Sequence, residues 1–263
     1  MVEMRVAQAA TPRLPLLPRR WSWAGLAVAT LRAYNAMHRF LLPSEPVVGS
    51  AFRELREIRE LASVPSDIDE HLELIFTETL LLQPKLIVEL GVRGGTSTFV
   101  FERAANLCGA SIVSVDIDDC SSISSHPRWH FFQGDDVQFA AIFPEFCQQR
   151  NLPPSVDLLF IDTSHYYDHT VQEVSAWFPH LSSRAKVLLH DTNMRLTGPR
   201  RDGCFQSSWD NHRGVIRAVE EYLGIMKIDE SKDSVECAGE WILRHKANCN
   251  GLTILDKLGG PAA

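Results

Sequence analysis

Two short stretches of this sequence place acids and imidazoles at the ends of apolar runs. One is Phe160-Ile161-Asp162-Thr163-Ser164-His165 and the other is Leu189-His190-Asp191-Thr192-Asn193. Two carboxylates joined by amide, hydroxyl or water oxygens suit a hard divalent ion such as Mg2+, which keeps several of its waters. If the two runs are neighbouring parallel strands, Asp162 and Asp191 come within reach of one ion. An imidazole titrates near neutral pH, so His165 is the candidate base for a substrate hydroxyl held there. Its plain alternative is a residue at a helix start, bonded to local backbone. His190 has three readings: a third ligand, a base, or a hydrogen-bonding wall of the pocket. His169, four residues beyond His165, reads as peripheral.

A second group of residues points to a nucleotide-like ligand. Glu89-Leu-Gly91-Val-Arg-Gly94-Gly95-Thr96-Ser97 follows another apolar run. Glycines at 91, 94 and 95 let the backbone turn sharply and approach a ligand closely. The helix that follows offers amides and a dipole that favour an anionic group. A glycine-rich turn alone is also an ordinary structural turn. Asp116 ends the next apolar run, some two dozen residues on, where a carboxylate can accept both ribose hydroxyls of an adenosine. Gly134-Asp135-Asp136 ends the third. Any one of these acids could be a helix cap or a turn residue, but caps alone do not explain acids in register with successive strand ends.

These residues need a scaffold that brings strand ends together, and the sequence supplies one. Short Val/Ile/Leu runs at 86–90, 111–116, 130–133, 156–162 and 185–191 alternate with helical patterns at 96–107, 137–149, 170–181 and 214–223. Such alternation means a parallel sheet covered on both faces, with ligands at the carboxyl ends of its strands. Apolar stretches at 240–244 and 252–255 suggest a closing antiparallel pair. The expected fold is therefore a Rossmann-like, doubly wound α/β domain with a mostly parallel seven-stranded sheet, occupying residues 63–263. Residues 1–62 form an extension with extra helices. A floppy leader precedes a helix at about Trp21–Leu42, which packs on the domain or on a second subunit as a homodimer contact. Pro43, Pro46 and Gly49 mark a linker. Arg53, Arg56, Glu57 and Glu60 read as a solvated helix face, and Ser66 with Asp69 as a capping box. The helix this box opens should turn Leu72, Leu74, Ile75, Thr79 and Leu80 inward.

Composition narrows the partners. The 263-residue chain has a formal net charge of −7, with six Arg and one Glu in residues 1–40, so the first forty carry +5 and the rest −12. An acidic body argues against nucleic acid as the main partner. The run Trp21–Leu31 falls short of the roughly 20 apolar residues that span a bilayer. An Arg-rich, acid-poor start faintly resembles an organelle transit peptide. Six cysteines without a CxxC pair read as reduced thiols in a cytoplasmic protein. The aperiodic stretch 194–213 lies after the fifth strand and reads as a substrate lid, with Phe205 and Trp209 as stacking surfaces. Arg200 and Arg201 read as solvated, or as contacts to an anionic acceptor.

Glu89-x-Gly91-x-x-x-Gly95 resembles the glycine motif of class I S-adenosylmethionine-dependent methyltransferases rather than the GxGxxG of nicotinamide dehydrogenases. That resemblance implies that Gly91 and Gly95 line the methionine part of S-adenosyl-L-methionine, with Thr96 and Ser97 near its carboxylate. It gives Asp116 to the ribose and Asp135 to the adenine amino group. The pair Asp162 and Asp191 resembles that of metal-dependent O-methyltransferases. Asp-x-x-His, His-Asp-Thr-Asn and Gly214-Val-Ile-Arg-Ala-Val-Glu-Glu-Tyr-Leu223 are similar to the branch with sugar O-methyltransferases and cephalosporin hydroxylase-like proteins. Where macrolide-sugar enzymes carry Glu-Asp, this chain carries His190-Asp191; where catechol enzymes have Asn, it has Thr192. The implied activity is Mg2+-assisted methylation of a hydroxyl on a small metabolite, such as a sugar of a natural product or glycan. Hydroxylation on the same fold, or a non-catalytic cofactor-binding role, are the alternatives. Product analysis with labelled S-adenosylmethionine separates them.

Overall fold

A computed structural model of the chain describes residues 23–41 and 53–259. The expected leader, the linker around Pro43, Pro46 and Gly49, and both ends of the expected Trp21–Leu42 helix lie outside the described residues. Helix α1 spans Trp23–Leu41 and α2 spans Arg53–Ala62. In α2, Arg53 meets Glu57 at 2.6 Å and Arg56 meets Glu60 at 4.0 Å, solvent-screened pairs on the helix surface that contribute little to stability. The opposite side of α2 presents Ile58, which is fully buried. Among the described residues no helix is long and apolar enough to cross a membrane.

A 3-10 turn at Asp69–His71 leads into α3, Leu72–Leu82. The Ser66 hydroxyl accepts from the Asp69 amide at 3.0 Å, half of the expected capping box. The Asp69 carboxylate instead turns away to pair with Arg200. Leu72, Ile75 and Thr79 are buried as the spacing predicts, while Leu74 and Leu80 are partly buried. Glu78 is buried too, and Lys186 and Arg244 neutralise it.

The alternation follows: β1 (Leu86–Leu90), α4 (Thr96–Cys108), β2 (Ser111–Asp116), β3 (Trp129–Gln133), α5 (Asp136–Arg150), β4 (Val156–Ile161), α6 (Tyr167–Trp177) and β5 (Leu181–His190). After a small hairpin of β6 (Thr197–Pro199) and β7 (Phe205–Ser207) come α7 (Gly214–Leu223), β8 (Ser234–Ala238), β9 (Trp241–Lys246) and β10 (Leu252–Lys257). The main sheet has eight strands in the order β3-β2-β1-β4-β5-β10-β9-β8. The first five are parallel and the last three antiparallel. The expected seven strands and closing pair are present. The additional strand is β8, an edge strand with three of its five residues exposed, which gives it no apolar pattern to detect.

Side chains of β1 alternate between two cores, as a doubly covered strand requires. Leu86, Val88 and Leu90 join Phe139, Phe143 and Trp177 on one face, while Ile87 joins Leu72, Val100 and Phe101 on the other. Burying each such side chain contributes about 1.5–3 kcal/mol. The chain runs outward from β1 through β2 to β3, then returns to β4 on the other side of β1. The order therefore reverses between β1 and β4, the place where such sheets hold ligands.

Residues 194–213, expected to be an aperiodic lid, contain the β6–β7 hairpin. Helix α1 rests on it. The Asn35 side chain accepts from the Phe205 amide at 2.8 Å and donates to the Phe205 carbonyl, and Tyr34 packs edge-on against the Phe205 ring. The ring expected to stack on a substrate thus faces α1. Arg200 also departs from expectation: its side chain is only 6% exposed, paired with Asp69 and donating to the Ser66 carbonyl at 2.8 Å. It anchors the hairpin to the body of the domain.

Candidate active site

The turn after β1 is built around backbone geometry that side chains would obstruct. Gly91 has φ +89°, and a Cβ there would stand 2.1 Å from the Asp162 carbonyl oxygen. Gly95, at φ +78°, begins α4, and a Cβ there would meet Ile123 at 2.3 Å. Asp116 grips the turn from the end of β2: its carboxylate accepts from the amides of Val92 at 2.8 Å, Arg93 at 3.0 Å and Asp118 at 2.9 Å. Burial works against its ionisation, but these amides hold it below the usual carboxylate range. Glu89 is fully buried under the turn and accepts from the hydroxyls of Ser97 at 2.6 Å and Thr98 at 2.9 Å. Burial pushes its carboxyl up to about 7. Thr96 and Ser97 line a cavity of about 150 Å3 with Gly91, Gly94 and Asp162. Asp135 caps α5 by accepting from the Gln138 amide at 2.8 Å.

The predicted acids and imidazoles after β4 and β5 do meet. Asp162, His165 and Asp191 each offer a ligand atom within 4.8 Å of the others. His165 Nε2 lies 3.1 Å from Asp191 Oδ2, and His165 Nδ1 lies 4.0 Å from Asp162 Oδ1. His190 Nδ1 lies 3.4 Å from Asp162 Oδ1 and 3.4 Å from Asp191 Oδ1. His165 at φ +60° and Asp191 at φ +56° adopt the left-handed conformation, which non-glycine residues seldom take and which clusters at functional sites. Burial disfavours the charged His190 ring, but Asp191 and Asp162 outweigh it and raise its pKa well above the ordinary value. In turn burial opposes ionisation of Asp162, and the rings of His190 and His165 hold its carboxyl below the usual range.

Other residues at this place were not singled out in the sequence. His71 packs edge-on against His190, ring centroids 5.5 Å apart, and burial pushes it down to about 3. Asn211 donates to the Asp191 carbonyl at 3.0 Å. Trp209, expected as a stacking surface, does stand beside the site, 6.2 Å from the His165 ring and 5.3 Å from that of Tyr166. A cavity of about 450 Å3 opens directly after Asp191, lined by Thr192, Asn193, Met194, Leu196, Asn211 and Arg213.

A second polar cluster lies behind the first. His169 Nε2 meets Asp136 at 3.1 Å and Glu173 at 3.6 Å, and Thr163, next to Asp162, donates to Glu173 at 2.5 Å. Burial and the adjacent Asp136 raise the Glu173 carboxyl well above its ordinary value. His169, expected to be peripheral, belongs to this buried network. Because α6 begins at Tyr167 rather than near Thr170, His169 and Glu173 are one helical turn apart on a single face.

Residues 88–192 match the family model of a methyltransferase domain. An uncharacterized protein of Sinorhizobium fredii (strain NBRC 101917 / NGR234) is 31% identical over 44% of this chain, and the match covers 14% of that protein. Among solved structures, the MycE methyltransferase of the mycinamycin biosynthetic pathway, in complex with Mg, SAH and mycinamycin VI, has a TM-score of 0.52 at 20% identity over 80% of this chain. The match covers 54% of MycE, about half its length. An O-methyltransferase from Bacillus cereus in complex with SAH has a TM-score of 0.50 at 13% identity, over 88% of this chain and 99% of its own. At such identities the likeness establishes the fold, that of Rossmann-like methyltransferases.

Proposed function

We propose that this chain, which carries a methyltransferase domain over residues 88–192, transfers the methyl group of S-adenosyl-L-methionine to a hydroxyl of a small molecule. The observation that carries the reading is the meeting of Asp162, His165 and Asp191 beside a glycine turn whose Gly91 touches the Asp162 backbone. The cofactor pocket and the acid–imidazole cluster thus share one wall. A cavity of about 150 Å3 at the turn is smaller than the roughly 300–1,000 Å3 of whole-ligand pockets. It suits the methionine end, with the adenosine lying over the open rim toward Asp116 and Asp135. The larger cavity after Asp191 has the size to seat the acceptor, while Trp209 stands beside the His165 ring.

His165 would take the proton from the acceptor hydroxyl. Its side chain is 12% exposed, against 1% for His190, so it is the ring that an acceptor can reach. The Asp191 carboxylate at 3.1 Å orients that ring, as an orienting acid does for a general base. The Thr163–Glu173 hydrogen bond holds the loop that carries both Asp162 and His165.

A divalent cation fits the donor set. Asp162 Oδ1, Asp191 Oδ1 and both ring nitrogens of His190 are buried without a hydrogen-bond partner, and such groups are costly to leave unsatisfied. Asp162 and Asp191 would hold it. When bound, the ion would lower the pKa of the acceptor hydroxyl. The acceptor family we favour is a vicinally oxygenated metabolite, a sugar included. Incubation with labelled S-adenosylmethionine and a panel of such acceptors tests the reading: methylated product and S-adenosylhomocysteine support it, and no cofactor uptake by folded protein overturns it.

A further inference from the structure

The cation position is walled by nitrogen as well as oxygen. His190 is 1% exposed, both its ring nitrogens lack a hydrogen-bond partner, and Nδ1 stands equally far, 3.4 Å, from one oxygen of Asp162 and one of Asp191. A ring held so close to both carboxylates adjoins any ion they share. Of the elements packed around it, His71 meets it edge-on and has an unpartnered Nδ1 of its own, and Leu252 pairs with its backbone in the neighbouring strand. The bound metal itself would satisfy Nδ1.

Ligand chemistry decides which metal that is. Mg2+ demands oxygen donors in a near-octahedral shell and parts with its waters reluctantly. Imidazole instead suits first-row transition cations, with affinity rising from Mn2+ through Fe2+, Co2+ and Ni2+ to Cu2+ and falling again at Zn2+. The geometry points to a first-row transition cation, held by Asp162, Asp191 and His190, as the ion this site prefers over Mg2+. This rests on the methyltransferase reading only for the ion's use; the preference itself belongs to the three side chains. His165 also lies within ligand reach, but it remains the ring available to an acceptor.

Calorimetric titration of chelator-stripped full-length protein with Co2+, Mn2+ and Mg2+ gives the first measurement, repeated on His190→Glu with folding checked by circular dichroism. Any such site favours Co2+ over Mg2+ to some degree, so the informative quantity is the change in ratio. The Co2+/Mg2+ affinity ratio should fall by about tenfold or more in His190→Glu, as an imidazole ligand gives way to oxygen. Pulsed EPR of the Mn2+-loaded His165→Ala variant supplies the second: nitrogen modulation should persist there and vanish in His165→Ala/His190→Glu. An unchanged ratio, no nitrogen modulation in His165→Ala, or no ion uptake by folded protein each overturns the inference. Failure to bind S-adenosylmethionine leaves the ion preference intact and removes only the proposed reaction.

Discussion

The Asp162 carbonyl occupies the space that any side chain on Gly91 would need, 2.1 Å from an added Cβ. The turn that would receive the cofactor and the loop that would hold the metal and base therefore fit against each other without slack. Gly91→Ala would force this contact apart and hold alanine at φ +89°, which by itself costs roughly 1–2 kcal/mol. We expect loss of more than about 2 kcal/mol of stability, together with loss of S-adenosylmethionine binding, measured by urea denaturation and calorimetry. Wild-type behaviour in both would show that the two loops move independently.

Replacing His165 by alanine should lower kcat by about 10²- to 10⁴-fold, the usual contribution of a general base, with cofactor affinity nearly unchanged. Single-turnover methyl transfer at saturating cofactor reads this directly. Near-normal turnover would take the base role away from His165.

Stability should depend on pH through Glu89. Its folded-state pKa is raised from 4.5 to about 7 by burial, so the folded protein holds a proton that the unfolded chain releases. The contribution is fully present below pH 4.5 and is lost as pH rises to about 7. Glu173, also raised by burial and Asp136, adds a slope of the same sign. Because the buried His71, pushed down to about 3, contributes a slope of the opposite sign below its unfolded pKa, the readout is the difference: between pH 5 and 7.5 the urea midpoint of the wild type should fall relative to that of Glu89→Gln. Equal slopes in the two proteins would exclude Glu89 as a source.

The Arg200–Asp69 pair, 6% and 4% exposed, should behave as a buried ion pair. Removing one partner leaves a charge without compensation, so Arg200→Met should cost about 3–5 kcal/mol. The double variant Arg200→Met/Asp69→Leu should recover part of that loss. A single-variant effect under about 0.5 kcal/mol would place Arg200 among ordinary surface residues.

The strand ends were legible because a buried parallel strand announces itself as an apolar run, and the residue after it must sit at the ligand edge. Asp116, Asp162 and Asp191 were found in this way. What stayed hidden depends on partners distant in sequence. Arg200 reads as one of two neighbouring surface arginines until Asp69, 131 residues earlier, is folded beside it. His71 carries no local sign that it will face His190. For His169 and Glu173 a signal was present, their spacing of four, but it acquires meaning only once α6 is extended back to Tyr167.

Asn35 places its amide on both backbone groups of Phe205, so a side chain does for β7 what a third strand would do. A shortened protein lacking α1 would strip that cover and leave a raw ribbon edge facing solvent, the kind of surface to which other chains add. Removing α1 would thus compromise solubility, and any tether that tugged on that helix would be felt at the cavity lined by Leu196 and Thr197, where the hairpin begins.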